Sequence, residues 1–414
     1  MRSHERRLVH SARGRERAAS ILAGDPGLLC DAVFGWGFGF SGPSVYLAEL
    51  QRAHGWSTGR IAAAITAYYL LGALCLARVD VALRWFGARY VVAAGTVLLG
   101  LGASLFARSQ EPWELYVAAV PMALGWAGCT STAISTTLAL YFHRQRGLAI
   151  TLALNGASAA GFTIGPLLVE LSQNIGVGDA VPLAVVTALA VVLPLIWFGI
   201  KPAGTGVAEE APVSEGTDFR VWGVERTWRF WSIALPFALV LAAQVGLIVH
   251  LVSFLLPRLG ADGAAWALSL TSVAAVSGRL LLAGTIDRLH QRRAAAASFA
   301  SQAVGLGLML AFSTTPAALY GGCLLFGLSV GNIITFPALI VQREFPAAAF
   351  GLVVGLSTAI SQLTFSLAPA VFGFVRDRTG SYDAVLAICI ALQLGAAALV
   401  ILRKGKPATK RALA

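Results

Sequence analysis

Long apolar stretches, separated by short polar turns, run through almost the whole chain. Each stretch holds roughly 20 or more residues, the length that a helix needs to cross a ~30 Å hydrocarbon layer. The pattern therefore predicts an all-α membrane protein with twelve transmembrane helices. These cover residues 24–50, 59–83, 87–108, 113–140, 146–172, 180–200, 229–256, 264–286, 293–313, 316–342, 349–375 and 381–403.

A polar segment rich in Pro, Gly, Glu and Ser, "KPAGTGVAEEAPVSEGTDFRVWGVER", follows the sixth stretch and predicts a linker between two bundles of six helices. The fifth stretch starts Gly-Leu and reaches Pro166, and the eleventh starts the same way and reaches Pro369. We therefore predict two pseudo-symmetric halves that move against each other about a central site. The predicted units are a basic N-terminus at 1–23, bundles at 24–200 and 229–403, a linker at 201–228 and a tail at 404–414.

Composition agrees with a membrane protein, because 57% of the residues are hydrophobic, only 12% are charged and the mean hydropathy is +0.74. The net charge of +11 is unevenly distributed. With the N-terminus in the cytoplasm, 24 of the 31 basic residues fall on the cytoplasmic side. This positive-inside asymmetry predicts a multi-pass protein of the plasma (inner) membrane, with the N-terminus, linker and tail cytoplasmic. The basic charge thus indicates topology, and we expect no nucleic-acid partner.

The basic N-terminal segment leads directly into a long apolar stretch and a second helix, so we expect an uncleaved first helix rather than a signal peptide. All five cysteines lie within apolar stretches and none has metal-ligand spacing, which predicts packing roles and no metal or cofactor. They are Cys30, Cys75, Cys129, Cys323 and Cys389.

The turn after the second helix, "DVALRWFGARY", resembles the Gly-x-x-x-Asp-Arg-x-Gly-x-Arg signature of the major facilitator superfamily. Gly87 and Arg89 match it, whereas Arg84 occupies the acidic position and Asp80 the first glycine position. The weaker second copy, "AGTIDRL", keeps the acid and the arginine. The resemblance implies a gating motif formed by Asp80, Gly87, Arg89, Asp287 and Arg288, with Asp80 supplying the acid from a shifted position.

A narrower resemblance is to the monocarboxylate transporters and, beside them, to the oxalate/formate antiporters. It depends on "YFHRQRGLAITLALNG", where Tyr141, Phe142, Arg144 and Arg146 fit the signature that leads into the fifth helix. The segment "VRDRTGSYDAV" near the end of the eleventh helix is also common in this part of the superfamily. The resemblance implies a carrier of small organic acids.

Arg279 stands in the apolar run "SVAAVSGRLLLAGTIDRL" of the predicted eighth helix. An arginine at a helix centre costs about 2.5 to 3.5 kcal/mol on insertion scales, and such residues usually line a cavity. The small residues Ser272, Ala275 and Ala283 share its helix face. A guanidinium suits the bidentate recognition of a carboxylate, although a snorkelling arginine is the alternative. The transporters named above carry a substrate-binding arginine in this helix, often one turn after an aspartate, where this chain has Ala275.

Two titratable residues could couple a proton to transport, Asp31 in the first helix and His250 in the seventh. Our hypothesis is that Asp31 and Arg279 face each other across an inward cavity. An interfacial Asp31 and a packed, neutral His250 are the alternatives. Polar residues at membrane depth are further candidates for substrate binding, namely Asn155, Gln244, Asn332, Gln362 and Tyr46.

The sequence contains no phosphate loop, catalytic triad pattern or metal cluster, so we do not expect an enzyme. It predicts a secondary active transporter of a small monocarboxylate such as lactate or pyruvate, coupled to protons and working by alternating access. The expected partners are the carboxylate, H⁺ and the lipid bilayer, and the oligomeric state is left open. The alternatives are a proton-coupled exporter of drugs or metabolites and, less favoured, a non-transporting membrane sensor.

Overall fold

The computed structural model describes residues 26–130, 133–134, 137, 146–200, 227–283, 289–346 and 349–402. Every regular element in these ranges is helical. Eight of their helices are long and apolar enough to cross a membrane. The expectation of an all-helical, multi-pass membrane protein is therefore confirmed. The two termini, most of the predicted linker and the second copy of the gating motif at 284–288 lie outside the described residues.

Fourteen α-helices and one π-helical turn make up the described part of the chain. The π-helical turn is Gly37–Ser41, and it joins α1 directly to α2. The α-helices are α1 Pro26–Trp36, α2 Gly42–His54, α3 Thr58–Leu76, α4 Val79–Phe86, α5 Ala88–Arg108, α6 Glu114–Cys129, α7 Arg146–Ile175, α8 Val177–Gly199, α9 Trp228–Ala283, α10 Gln291–Ala311, α11 Pro316–Ile333, α12 Phe336–Glu344, α13 Phe350–Thr379 and α14 Asp383–Ile401.

Helix α9 is long because two helices join end to end at Gly260. Gly260 has φ 70° and ψ −178°, a conformation that is essentially restricted to glycine. It separates a first arm, 228–259, from a second arm, 261–283. The two arms correspond to the seventh and eighth predicted helices, which the sequence places at 229–256 and 264–286.

The predicted helix at 316–342 is divided in the structure into α11 and α12. Pro337 stands in the first turn of α12 and has no N–H to continue the hydrogen bonding of α11. The backbone N–H and the hydroxyl of Thr335 both donate to the Asn332 carbonyl, at 3.0 and 2.8 Å, and so close the end of α11. The proline and this turn explain the break.

Small residues bring the helices close together, as is common in membrane bundles. A Cβ added at Gly125 of α6 would meet the Leu99 backbone of α5. A Cβ added at Gly278 of α9 would meet the Leu328 carbonyl of α11. Helices α3 and α13 also pack against each other, as do α7 and α9. These contacts place α7, the second arm of α9 and α11 side by side, where Arg279 lies.

Candidate functional site

Arg279 lies half-buried on the second arm of α9, where this arm contacts α11. Its Nε–H donates to the Gly331 carbonyl of α11 at 3.3 Å. A Cβ added at Gly331 would stand 2.5 Å from the Ala275 carbonyl and 3.2 Å from Nε of Arg279. The absence of a side chain at Gly331 therefore lets the guanidinium approach the α11 backbone.

The helix face that carries Arg279 is also in contact with α7. Ser272, two turns before Arg279 on the same face, lies so close to Gly161 of α7 that a Cβ at Gly161 would meet its hydroxyl. The Ser272 hydroxyl itself donates to the Leu268 carbonyl at 3.0 Å. Arg279 thus projects from a face that is covered by α7 on one side and by α11 on the other.

Asn332, next to Gly331, is buried at the end of α11. Its Nδ2 donates to the Leu328 carbonyl at 3.2 Å, whereas its Oδ1 has no hydrogen-bond partner among the described residues. Gln362 is half-buried on α13. The side chain of Asn155, on α7, lies outside the described part. Among the predicted amides, Asn332 directly follows Gly331, whose carbonyl accepts from Arg279.

Asp31 of α1 is fully buried, with 0% of its surface exposed. Its Oδ1 lies 2.9 Å from the Thr96 hydroxyl of α5, and the Cys129 thiol of α6 lies 3.9 Å from the same hydroxyl. The carboxyl group is thus placed between α1, α5 and α6. No ion pair joins Asp31 to Arg279 in the described residues, and the hypothesis that the two face each other across a cavity stays a prediction.

His250 is buried on the first arm of α9. Its Nε2 lies 3.0 Å from the Pro369 carbonyl of α13, and because a carbonyl only accepts, Nε2 carries the hydrogen. Nδ1 then accepts from the Tyr382 hydroxyl at 3.3 Å. Both ring nitrogens are engaged in contacts between helices, an arrangement that fits the packing alternative. The coupling role of His250 stays a prediction.

Gln244 and Tyr46 both make hydrogen bonds within the protein, Gln244 to a neighbouring helix and Tyr46 to the π-helical turn of its own span. Gln244 of α9 accepts from Gln302 of α10, which in turn accepts from Gln393 of α14, each at 2.9 Å. The Tyr46 hydroxyl donates to the Phe38 carbonyl in the π-helical turn at 3.1 Å. Neither of these bonds involves Arg279, and the substrate-binding roles of Gln244 and Tyr46 stay predictions.

The first copy of the gating motif is centred on α4. Asp80 and Arg84 form an exposed ion pair of 3.0 Å within this helix. Gly87 ends α4 with φ 82°, a backbone conformation that favours glycine. Arg89 donates from Nε to the Ile200 carbonyl at 2.7 Å and so connects α5 to the end of α8. Asp80 therefore pairs with the arginine that replaces the usual acid of the motif.

An ion pair that sequence reasoning missed lies at the start of α10. Arg292 donates to both carboxylate oxygens of Glu344, at 2.7 and 2.9 Å. It also donates to the Ser232 hydroxyl and to the Val400 carbonyl. The sequence pattern shows Arg292 only as one more cytoplasmic basic residue, because its partners are at least 52 residues away along the chain.

In the part of the chain that the structure describes, close-packed helices of membrane-spanning length indicate a polytopic membrane protein, with a half-buried arginine between two of its helices. The family model of the Major Facilitator Superfamily matches residues 28–369. The chain therefore belongs to this superfamily of transporters.

Within it, the chain resembles the monocarboxylate transporters. It is 30% identical to human monocarboxylate transporter 11 over 320 residues, which cover 73% of this chain and 65% of that protein. It is 25% identical to the uncharacterized MFS-type transporter YcxA of Bacillus subtilis over 316 residues, 74% of this chain and 76% of that one. The fold is similar to that in the crystal structure of the nucleoside transporter NupG, with a TM-score of 0.75 and 12% sequence identity. The superposition covers 91% of this chain and 98% of the NupG chain. This last likeness concerns the fold alone.

Proposed function

We propose that the protein is a secondary active transporter of a small organic monocarboxylate of the lactate or pyruvate type, moved together with a proton by alternating access. The observation that carries the proposal is the placement of Arg279 between α9 and α11, with its Nε–H on the Gly331 carbonyl. The similarity to human monocarboxylate transporter 11 supports the same substrate class.

The proposed architecture has twelve transmembrane helices in two bundles of six. The kink at Gly260 supports it, because it divides α9 into two spans of membrane length. Helices α7 and α13, which carry the internal repeat, support it as well, since both span 30 residues and contain an internal proline. The positive-inside asymmetry supports cytoplasmic termini.

Arg279 would hold the substrate carboxylate in this proposal. The bond from Nε to Gly331 restrains the guanidinium plane, and a restrained plane loses less rotamer entropy when it binds a ligand. Guanidinium groups form parallel hydrogen bonds with the two oxygens of a carboxylate, which neutral solutes such as sugars lack. Asn332, whose Oδ1 is buried without a described partner, would add a hydrogen-bond acceptor for a substrate hydroxyl.

Alternating access needs contacts between the two proposed bundles that can form and break. Among the described residues three pairs of helices supply them: α3 with α13, α7 with the second arm of α9, and α2 with α9. Arg279 is on one member of the second pair. Movement at this contact would therefore change the surroundings of the bound carboxylate, which is the differential interaction that transport requires.

Uptake of radiolabelled lactate and pyruvate into proteoliposomes, with an imposed pH gradient, tests the proposal. We expect uptake by the natural protein and a loss of about tenfold or more in Arg279→Ala, equivalent to ~1.4 kcal/mol of lost interaction. Arg258→Ala is the matched control, because Arg258 is on the same helix and donates to the Phe254 carbonyl of its own turn. The proposal is wrong if neither acid is transported or if both variants lose the same activity. Export of a hydrophobic cation would instead support the exporter alternative.

A further inference from the structure

Three oxygen atoms form a row inside the contact between α1 and α5. The Thr96 hydroxyl oxygen lies 2.8 Å from the Val92 carbonyl oxygen on one side and 2.9 Å from Oδ1 of Asp31 on the other. Both distances are those of O–H···O hydrogen bonds. Each of the two contacts therefore needs a hydrogen atom between its oxygens.

The Thr96 hydroxyl supplies only one of these hydrogens, and the Val92 carbonyl supplies none. If Thr96 donates to Val92, the second hydrogen must come from the Asp31 carboxyl group. If Thr96 donated to an ionised Asp31, two oxygens with only lone pairs would face each other across 2.8 Å at Val92. The arrangement that satisfies both contacts has Thr96 donating to Val92 and a protonated Asp31 donating to Thr96.

The Cys129 thiol completes this arrangement. Its sulfur lies 3.9 Å from the Thr96 hydroxyl oxygen, within reach of a weak S–H donor. The hydroxyl oxygen of Thr96 then accepts from Asp31 and from Cys129 with its two lone pairs and donates its one hydrogen to Val92. Thr96 thereby holds the Asp31 carboxyl group between α5 and α6.

The surroundings of Asp31 contain no described counter-ion. No lysine, arginine or histidine nitrogen of the described residues forms an ion pair with it, and its Oδ2 has no hydrogen-bond partner among them. The titratable groups beside it are the thiols of Cys30 on its own helix and of Cys129 on α6. Glu49, which is also buried, is by contrast paired with Arg52 and Gln173. A buried, unpaired carboxylate is costly, so the neutral acid is the form that suits this site.

We infer that Asp31, whose complete burial favours the neutral acid, carries the coupled proton and that Thr96 and Cys129 are the positioning residues that hold its carboxyl group. This inference rests on the proposed proton-coupled transport. Release of the proton to water would leave a carboxylate that competes with Val92 for the single hydrogen of Thr96. It would also require water to reach a side chain that is fully buried here, so α1 must move away from α5 or α6 before the proton leaves. The proton and the position of α1 are therefore linked.

Infrared spectroscopy of the protein in liposomes tests the protonation state without any substrate. The difference spectrum between the natural protein and Asp31→Asn should contain one C=O band of a protonated carboxylic acid, shifted in heavy water. Thr96→Val should move this band to higher frequency, because the acid loses its hydrogen bond, and Thr96→Ser should leave it in place. Thr187→Val is the matched control, since Thr187 donates to the Leu183 carbonyl of its own helix and lies on α8.

Transport measurements then test the coupling role. We expect Asp31→Asn to lose about tenfold or more of the uptake driven by a pH gradient while keeping exchange of labelled for unlabelled acid. In Thr96→Val the pH dependence of uptake should shift, and Thr96→Ser should restore it. Absence of the acid band, or unchanged gradient-driven uptake in Asp31→Asn, would overturn the inference even if the protein transports acids. A clear band in a protein that transports no monocarboxylate would refute the proposed function instead.

Discussion

Asp377 of α13 accepts a hydrogen bond of 2.7 Å from the backbone N–H of Gly59, 318 residues earlier in the chain. Its other carboxylate oxygen accepts from the Thr58 N–H at 3.1 Å. The carboxylate thus caps the N-terminus of α3, where orphan N–H groups and the helix dipole favour negative charge. It explains why an acid stands in the segment "VRDRTGSYDAV", for which sequence reasoning found no role.

Removal of this cap should loosen the contact between α3 and α13. In Asp377→Ala the two N–H groups of α3 lose their acceptor, at a cost of about 1 kcal/mol. We expect faster thiol labelling of a cysteine that replaces Thr66. This position lies in the same contact, since the natural Thr66 hydroxyl accepts from the Ala370 N–H. Asp383→Ala, in the first turn of α14, is the control and should leave the labelling rate unchanged. Equal rates in both variants would show that Asp377 does not hold the two helices together.

The buried ion pair between Arg292 and Glu344 should matter more for stability than the exposed pair of α4. Arg292→Ala removes the two hydrogen bonds that Glu344 accepts from the guanidinium, and breaking a buried pair in this way costs about 3 to 5 kcal/mol. Arg84→Ala should cost at most about 1 kcal/mol, because both members of its pair are exposed. Unfolding in detergent measures both values. Similar losses would contradict the structural role of Arg292.

A methyl group at Gly278 should separate α9 from α11 and disturb Arg279. The added Cβ would meet the Leu328 carbonyl, and overpacking of this kind typically costs about 1 to 3 kcal/mol. We expect Gly278→Ala to lower thermal stability and to weaken substrate binding. Gly321→Ala, on α11, is the control, since its Cβ would meet no atom within 4 Å. Comparison of the melting temperatures and KM values of the two variants checks the prediction.

The hydrogen-bonded row of Gln393, Gln302 and Gln244, here called the glutamine ladder, predicts that substitutions in it change stability rather than substrate affinity. Gln244→Leu leaves the Gln302 amide without its acceptor, at a cost of about 1 to 3 kcal/mol. Replacement of all three ladder glutamines by leucine should recover most of this loss, because no buried amide then lacks a partner. Uptake kinetics should show an unchanged KM in Gln244→Leu. A raised KM would instead favour the substrate-binding role that the sequence suggests.

Much of the fold follows from local properties of the sequence. Runs of apolar residues predict the helices. The break at Gly260 lies between two such runs, where a polar, glycine-containing turn interrupts the apolar sequence. The break between α11 and α12 was missed, although Pro337 signals it. The prediction of a single helix at 316–342 relied on the length of the apolar run and gave too little weight to the one proline within it.

The candidate site was less predictable, because residue type does not reveal which neighbour a side chain meets. Arg279 is conspicuous as a cation in an apolar helix, and its placement beside Gly331 depends on the packing of α9 on α11. Gln244 has the same polar character as Asn332 but bonds to another glutamine. The bond of Asp31 to Thr96 joins residues 65 apart, and no spacing rule predicts it.

The π-helical turn at Gly37–Ser41 has a geometric consequence for Asp31. A π turn holds one residue more than an α turn, and one residue corresponds to a rotation of about 100° around the helix axis. The hydroxyls of Tyr46 and Tyr68 donate to two carbonyls of this turn, those of Phe38 and Gly39. If the turn took α geometry, α1 would rotate by this angle relative to α2, and the Asp31 carboxyl group would move away from Thr96. The two tyrosine hydroxyls therefore stabilise the turn geometry that directs Asp31 toward Thr96.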